Sequence, residues 1–145
     1  MMRMTFKHTR VQILAGTKTV TRRHGWVHLE PGTLLLAVAA ARRPNAEVLR
    51  VIEVVSVRSE RLEDVTPEDV VAEGWPAGTP VEDFVTEFLR AIGGERGDKV
   101  RRVEFRFVPG CTCPALFPDQ RTCPACARWP RLSPKERAMV RGRAA

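Results

Sequence analysis

Three cations fall within eight residues in the segment Gly16-Thr17-Lys18-Thr19-Val20-Thr21-Arg22-Arg23. Lys18, Arg22 and Arg23 set this close together call for an anion, and phosphate is the commonest one that Lys and Arg grip. Lys18 has a second capacity. Neighbouring like charges lower a lysine pKa, and a partly neutral amine works as a base. Thr19 and Thr21 place hydroxyls nearby, and a hydroxyl beside a base is a potential nucleophile. The same residues also suit a plainer role, a solvated basic edge strand whose threonines serve β-propensity. His8, His24 and His28 have no metal-ligand spacing and read as surface or turn residues.

A second cluster is made of sulfur. All four cysteines, Cys111, Cys113, Cys123 and Cys126, lie within sixteen residues. Cys123-Pro124-Ala125-Cys126 is a C-x-x-C knuckle, and four thiolates suffice for a tetrahedral zinc that orders a segment without a core. The first pair is C-x-C, which is less usual. Disulfides are the main alternative, disfavoured inside a cell. A thioredoxin-like role lacks the βαβ context that it needs. The expectation is a structural Zn2+ with every ligand position filled.

Several elements must position these groups. Residues 4–7 alternate as a short strand. His8 or Thr9 can cap a short helix over Arg10–Ala15, with Val11, Leu14 and Ala15 on one face and Gly16 as its stop. Thr19-Val20-Thr21 reads as strand, Pro31-Gly32 as a turn, and residues 34–40 as a buried strand. A long strand is predicted over residues 47–58. Thr66-Pro67-Glu68-Asp69 opens a helix by N-cap and proline. Thr79-Pro80-Val81-Glu82 reads as a capping box ahead of the stripe Phe84, Val85, Phe88, Leu89 and Ile92. Residues 100–108 alternate as a half-buried strand, and Ser133-Pro134-Lys135-Glu136 caps a short polar terminal helix. Strands dominate, three short helices interrupt them, and no βαβ repeat is visible. The expected class is α+β, mainly β: a small antiparallel or mixed barrel with helices at its ends.

The chain has 145 residues and a formal charge of +7. Residues 109–145 hold seven bases against two acids, so most of the excess lies there. Such a tail raises affinity for phosphate polyanions, and it equally suits a solvated end that aids solubility. Pro109-Gly110 marks an expected boundary between a domain at 1–108 and a Cys-rich basic extension at 109–145. The longest apolar run, residues 34–41, is far too short to span a bilayer. Charges near the start stand where a signal peptide needs apolar residues. A cytoplasmic location is expected.

Phe6, the run Ile13-Leu14-Ala15-Gly16, then Lys18, Thr21 and Arg23 resemble the opening motif of the ASCH domain family. That motif is a glycine, a lysine two residues on and an arginine five further. The resemblance continues through residues 31–34, 51–54, 66–75 and 103–107, and the chain looks most like small phage and prophage members. It implies a PUA-like small β-barrel with flanking helices, and a cleft at the lysine motif for RNA, a nucleoside or a nucleotide. Some members are amidohydrolases that deacetylate N4-acetylcytidine, and others have been assigned ribonuclease activity. By resemblance, Lys18, Thr21 and Glu73 match the catalytic set: Lys18 takes the proton of Thr21, and Glu73 orients Lys18 or the exocyclic nitrogen. Gly16, Arg22, Arg23 and Trp75 fall to binding. Arg22 or Arg23 would face a phosphate or an oxyanion, and Trp75 would stack on a base or cover the core. The cysteine module lies outside the resemblance. A geometric condition accompanies this reading. In a regular strand residues 18 and 21 face opposite ways, so Lys18 must sit in the bend after Gly16.

Overall fold

The computed structural model describes residues 2–40, 43, 46–108 and 132–141. The four cysteines, and with them the expected zinc knuckle, lie outside the described residues. Among those described, no three His, Cys, Asp or Glu side chains come together to hold a metal. No described helix is long and apolar enough to cross a membrane.

Five strands form one mixed sheet: β1 (Arg3–Thr5), β2 (Val20–Arg23), β3 (Leu34–Val38), β4 (Val48–Arg61) and β5 (Lys99–Phe107). Their order is β1-β3-β4-β5-β2. β1 runs parallel to β3, and the other neighbours are antiparallel. The helices are α1 (Arg10–Ala15), α2 (Pro67–Ala72), α3 (Val81–Ile92) and α4 (Pro134–Arg141), with a 3-10 turn at Leu62–Asp64. The mainly-β expectation therefore holds as a mixed five-stranded sheet with a few helices. Its two edges, β1 and β2, are joined by a side chain, since the Arg23 Nη2 donates to the Thr5 carbonyl.

The β4 strand is longer than its apolar pattern predicts. Its outer end, Ser59-Glu60-Arg61, pairs with Arg101, Val100 and Lys99, so the ladder carries polar residues beyond the hydrophobic run. The register shifts between Val54 and Ser56, and the intervening Val55 is exposed, as the extra residue of a bulge often is.

Three apolar clusters hold the fold. One lies between the sheet and α1 and contains Met4, Phe6, Ile13, Leu49, Ile52 and Phe105. The helix α1 turns a different face inward from the one its spacing suggested. Val11 is 68% exposed, and Ile13 is the residue that is buried, because six residues make too short a helix for periodicity to fix the inner face. A second cluster joins Leu36, Val48 and Val51 to Leu132 and Val140. The terminal helix, read as polar, thus seats Val140 on the sheet, with Leu132 just before the helix beside it, and its Ser133–Glu136 capping box is formed, at 2.9 and 3.2 Å. The third cluster packs α2 and α3 through Val70, Phe84, Val85 and Phe88 against Leu62 and Val100.

The two helix starts behave differently. Thr66 caps α2, its hydroxyl accepting from the Asp69 N–H at 3.2 Å. The expected capping box at Thr79 does not form. Pro80 is the N-cap residue, and the Thr79 hydroxyl donates backward to the Pro76 carbonyl at 2.6 Å. A hydroxyl that close to a turn carbonyl satisfies itself locally instead of capping.

Candidate functional site

Lys18 stands in a bend after Gly16, before β2 begins. Gly16 takes the left-handed conformation, φ 76°, that ends α1. The Thr17 and Lys18 N–H groups then both donate to the Gln12 carbonyl, and β2 begins only at Val20. The Thr19 N–H donates to the Ala72 carbonyl at 2.8 Å, which draws the end of α2, and Glu73 with it, against the bend. Gly74, at φ 99°, makes this approach possible. A Cβ there would lie 2.8 Å from Gln12 Cγ and 3.2 Å from Lys18 Cβ.

The result is a buried ion pair. Lys18 Nζ lies 2.5 Å from Glu73 Oε2 and 3.0 Å from the Glu73 carbonyl oxygen, and both residues are under 5% exposed. Burial pushes the Lys18 pKa down, with Arg23 and Arg22 adding to the effect and Glu73 opposing it. Thr21 is also buried and lines the same cavity as Lys18 and Glu73. Its hydroxyl oxygen accepts from Arg23 Nε at 3.3 Å, which leaves its own proton free.

The two arginines have different surroundings. Arg22 is fully buried and saturated with carboxylates. Its Nε and Nη2 meet Glu60 Oε1 at 3.0 and 2.5 Å, Nη2 also meets Asp69 Oδ2, and Nη1 meets Glu73 Oε1 at 3.1 Å. Burial works against its charge, and these carboxylates outweigh it, so its pKa rises. Arg22 borders the same cavity as Lys18 and Thr21, but its donors are met by these carboxylates inside the fold. Asp69 continues the network to Arg102 in a two-point contact of 2.7 and 2.9 Å. Arg102 and Arg22 hold the Asp69 carboxyl down to about 2.

Arg23 is the reverse case. Its guanidinium rests 4.9 Å over the Phe6 ring and touches the Thr5 carbonyl and the Thr21 hydroxyl. No carboxylate of the described residues lies within ion-pair distance of it. Burial lowers its pKa to about 10, with the more distant charge of Glu73 opposing.

These groups border a cavity of about 150 Å³, and a space of that size admits one benzene-sized ring. Lys18, Thr21, Glu73 and Arg23 form its polar end. Phe6, Trp75, Phe84 and Phe88 supply apolar wall, with Trp75 set edge-on to Phe84 at 5.9 Å. Gly16 does not line the cavity; its part is to end α1. Sequence reasoning missed Glu60, Asp69 and Arg102 as partners of the site, and missed α3 as its wall. The stripe Phe84, Val85, Phe88 signalled a buried face on α3 without saying what it faces.

No protein-family model and no curated protein matches this sequence. Solved structures do resemble the fold. The ASCH domain from Lactobacillus crispatus JV V101 aligns with 73% of this chain and 79% of its own, at TM-score 0.54 and 15% identity. Protein EF3133 from Enterococcus faecalis V583 aligns at TM-score 0.56 and 14% identity, over 70% of this chain and 68% of that one. The ASCH protein from Zymomonas mobilis gives TM-score 0.51 and 13% identity, over 72% and 65%. The fold is that of ASCH domains.

Proposed function

We propose that this chain is an ASCH-family protein that takes a base of RNA or of a nucleotide into the cavity around Lys18, Thr21, Arg23 and Glu73. Arg23 carries the reading. A desolvated guanidinium without a carboxylate partner, at the polar end of a ring-sized cavity with aromatic walls, has the complement of a planar ligand bearing carbonyl or anionic oxygen. Trp75 offers a stacking face, a contact of about 1–3 kcal/mol per base. The protein is expected to bind at least one ribonucleotide in calorimetric titration. Arg23→Met is expected to weaken that binding about 10- to 100-fold, the loss of one charge-assisted contact. If the wild-type protein binds no ribonucleoside or ribonucleotide, the reading falls.

A second reading is favoured by the Lys18–Glu73 pair. A lysine with a depressed pKa and a hydroxyl lining the same cavity offer a base and a nucleophile to one space, suited to hydrolysing an acylated exocyclic nitrogen such as that of N4-acetylcytidine. A PUA-like barrel, toward which the Arg23 contact between β2 and β1 is one support, and action in the cytoplasm belong to the same proposal. So does a zinc-stapled extension that prolongs the grip on a polymer. For that extension, metal analysis of protein purified without added zinc is expected to find one equivalent bound through Cys111, Cys113, Cys123 and Cys126. A metal-free protein with four titratable thiols would end it.

A further inference from the structure

The residues lining the cavity are of two kinds. Among them Lys18, Thr21 and Glu73 are buried, whereas Lys7 and His8, after β1, and Ala91 and Ile92, on α3, are exposed. The ring-sized space is used up by a single base, so whatever is attached to that base must emerge between these two lips.

The lips differ in charge. On the α3 side, Ala91 and Ile92 are exposed and apolar, Ile92 being 51% exposed. The nearby carboxylate, Glu87, is gripped by Arg90 of the same helix, with Nε to Oε2 at 2.9 Å and a second contact from Nη2 to Oε1. Glu87 also lines the cavity, and its charge is answered by Arg90 and, across the mouth, by His8. On the opposite lip, Lys7 is exposed and has no carboxylate of the described residues within ion-pair distance, and His8 adds ring nitrogens beside it. Elsewhere on the described surface the exposed arginines are mostly neutralised: Arg10 by Glu47, Arg61 by Glu63, Arg96 by Glu82 and Arg106 by Glu53. Lys7 is distinguished by its place: it is an exposed cation without a carboxylate partner among the described residues that also lines the cavity.

We propose that Lys7, with His8 beside it, forms a phosphate subsite at the mouth, so that the protein prefers phosphorylated nucleotides to free nucleosides. This inference rests on the base-binding reading given above. The base enters toward Thr21 and Arg23, the sugar passes the apolar lip at Ile92, and the phosphate meets the Lys7 ammonium. A lysine suits this place because it answers phosphate as a mobile point charge and imposes no fork geometry.

The test compares affinity for ribonucleosides with affinity for their 5′- and 3′-monophosphates at low salt. One monophosphate series is expected to bind about tenfold more tightly than the matching nucleoside, the scale of one phosphate–ammonium contact. The preference should shrink as salt is raised. In Lys7→Ala the ratio should collapse toward one, and in Lys7→Glu it should invert. Lys99→Ala removes an exposed lysine that does not line the cavity and should keep the wild-type ratio. Equal binding of nucleoside and monophosphate by the wild type overturns the subsite and leaves base binding standing. A ratio retained in Lys7→Ala, or lost in Lys99→Ala, also overturns it. Absence of binding to any of these ligands removes the base-binding reading together with the subsite.

Discussion

Replacing Arg22 with methionine is expected to cost the protein about 3–5 kcal/mol at neutral pH, enough to unfold a domain of ordinary stability. The side chain has no exposure at all, and it stands between three carboxylates, Glu60, Asp69 and Glu73. Methionine fills much of the volume, so the loss is electrostatic. Each carboxylate keeps one other cation: Arg58 beside Glu60, Arg102 on Asp69, and Lys18 on Glu73. For that reason the cost should stay near that of one broken buried pair and not reach the sum of three. Lysine at this position should restore only part of it, because an ammonium cannot match the planar fork that serves three partners.

The pH dependence has a definite sign. Arg102 and Arg22 hold Asp69 down to about 2 in the folded protein, below its value of 3.8 when unperturbed. Between those values the unfolded chain binds the extra proton, so this contribution is whole above about pH 4 and is lost as pH falls toward 2. In Arg22→Met, Asp69 loses the part of this lowering that Arg22 supplies and binds its proton more readily. The penalty should therefore be larger at pH 7 than at pH 3, inside the window in which Asp69 titrates, and denaturant unfolding at both values measures it. A loss under about 1 kcal/mol at pH 7 would mean that the network is solvated and that Arg22 is available to a ligand after all.

How much of this was legible follows from the range of each interaction. The stop at Gly16 and the cap at Thr66 are local, and both residues act as their types suggest. The requirement that Lys18 lie in a bend also follows from local geometry, since strand periodicity would otherwise part it from Thr21. The identity of Arg22's partners does not, because Glu60, Asp69 and Glu73 lie 38 to 51 residues away and reach it only through the packing of β4 and α2. Arg22 and Arg23 look equivalent in the sequence. The strand alternation separates their surroundings, taking Arg22 to the carboxylates and Arg23 to Phe6, although both border the cavity. Helix faces fail for a related reason. One turn and a half gives α1 no periodicity to read, while twelve residues of α3 show a stripe whose buried members are Phe84, Val85 and Phe88. At Thr79, a local carbonyl competed successfully for a hydroxyl that the pattern had assigned to a cap.

If the hydrolytic reading holds, Lys18→Met should lower the turnover of N4-acetylcytidine by about 10²–10⁴-fold, the usual contribution of a general base, while leaving the fold intact. The fold survives because Glu73 keeps Arg22 on its other oxygen, 3.1 Å away, so no carboxylate is left unpaired. The chemistry depends on a count of protons. Lysine has three donors when charged, and two of its hydrogen bonds here go to the Glu73 carboxylate and carbonyl. A neutral amine can keep both of these and still present a lone pair, so losing the proton does not dismantle the site. Burial favours that neutral form. The rate should accordingly rise with pH through a lysine titration lying below its usual value of about 10.4. Thr21→Val, which keeps the shape and removes the oxygen, should be as inactive as Lys18→Met, and Thr21→Ser should retain activity. Arg23 hydrogen-bonds the same oxygen, so Arg23→Met should lower the turnover number as well as weaken binding. Wild-type turnover that survives in both Lys18→Met and Thr21→Val would remove these residues from the reaction. No turnover in the wild type would leave the cavity as a binding site, with its buried lysine present to set the position of Glu73.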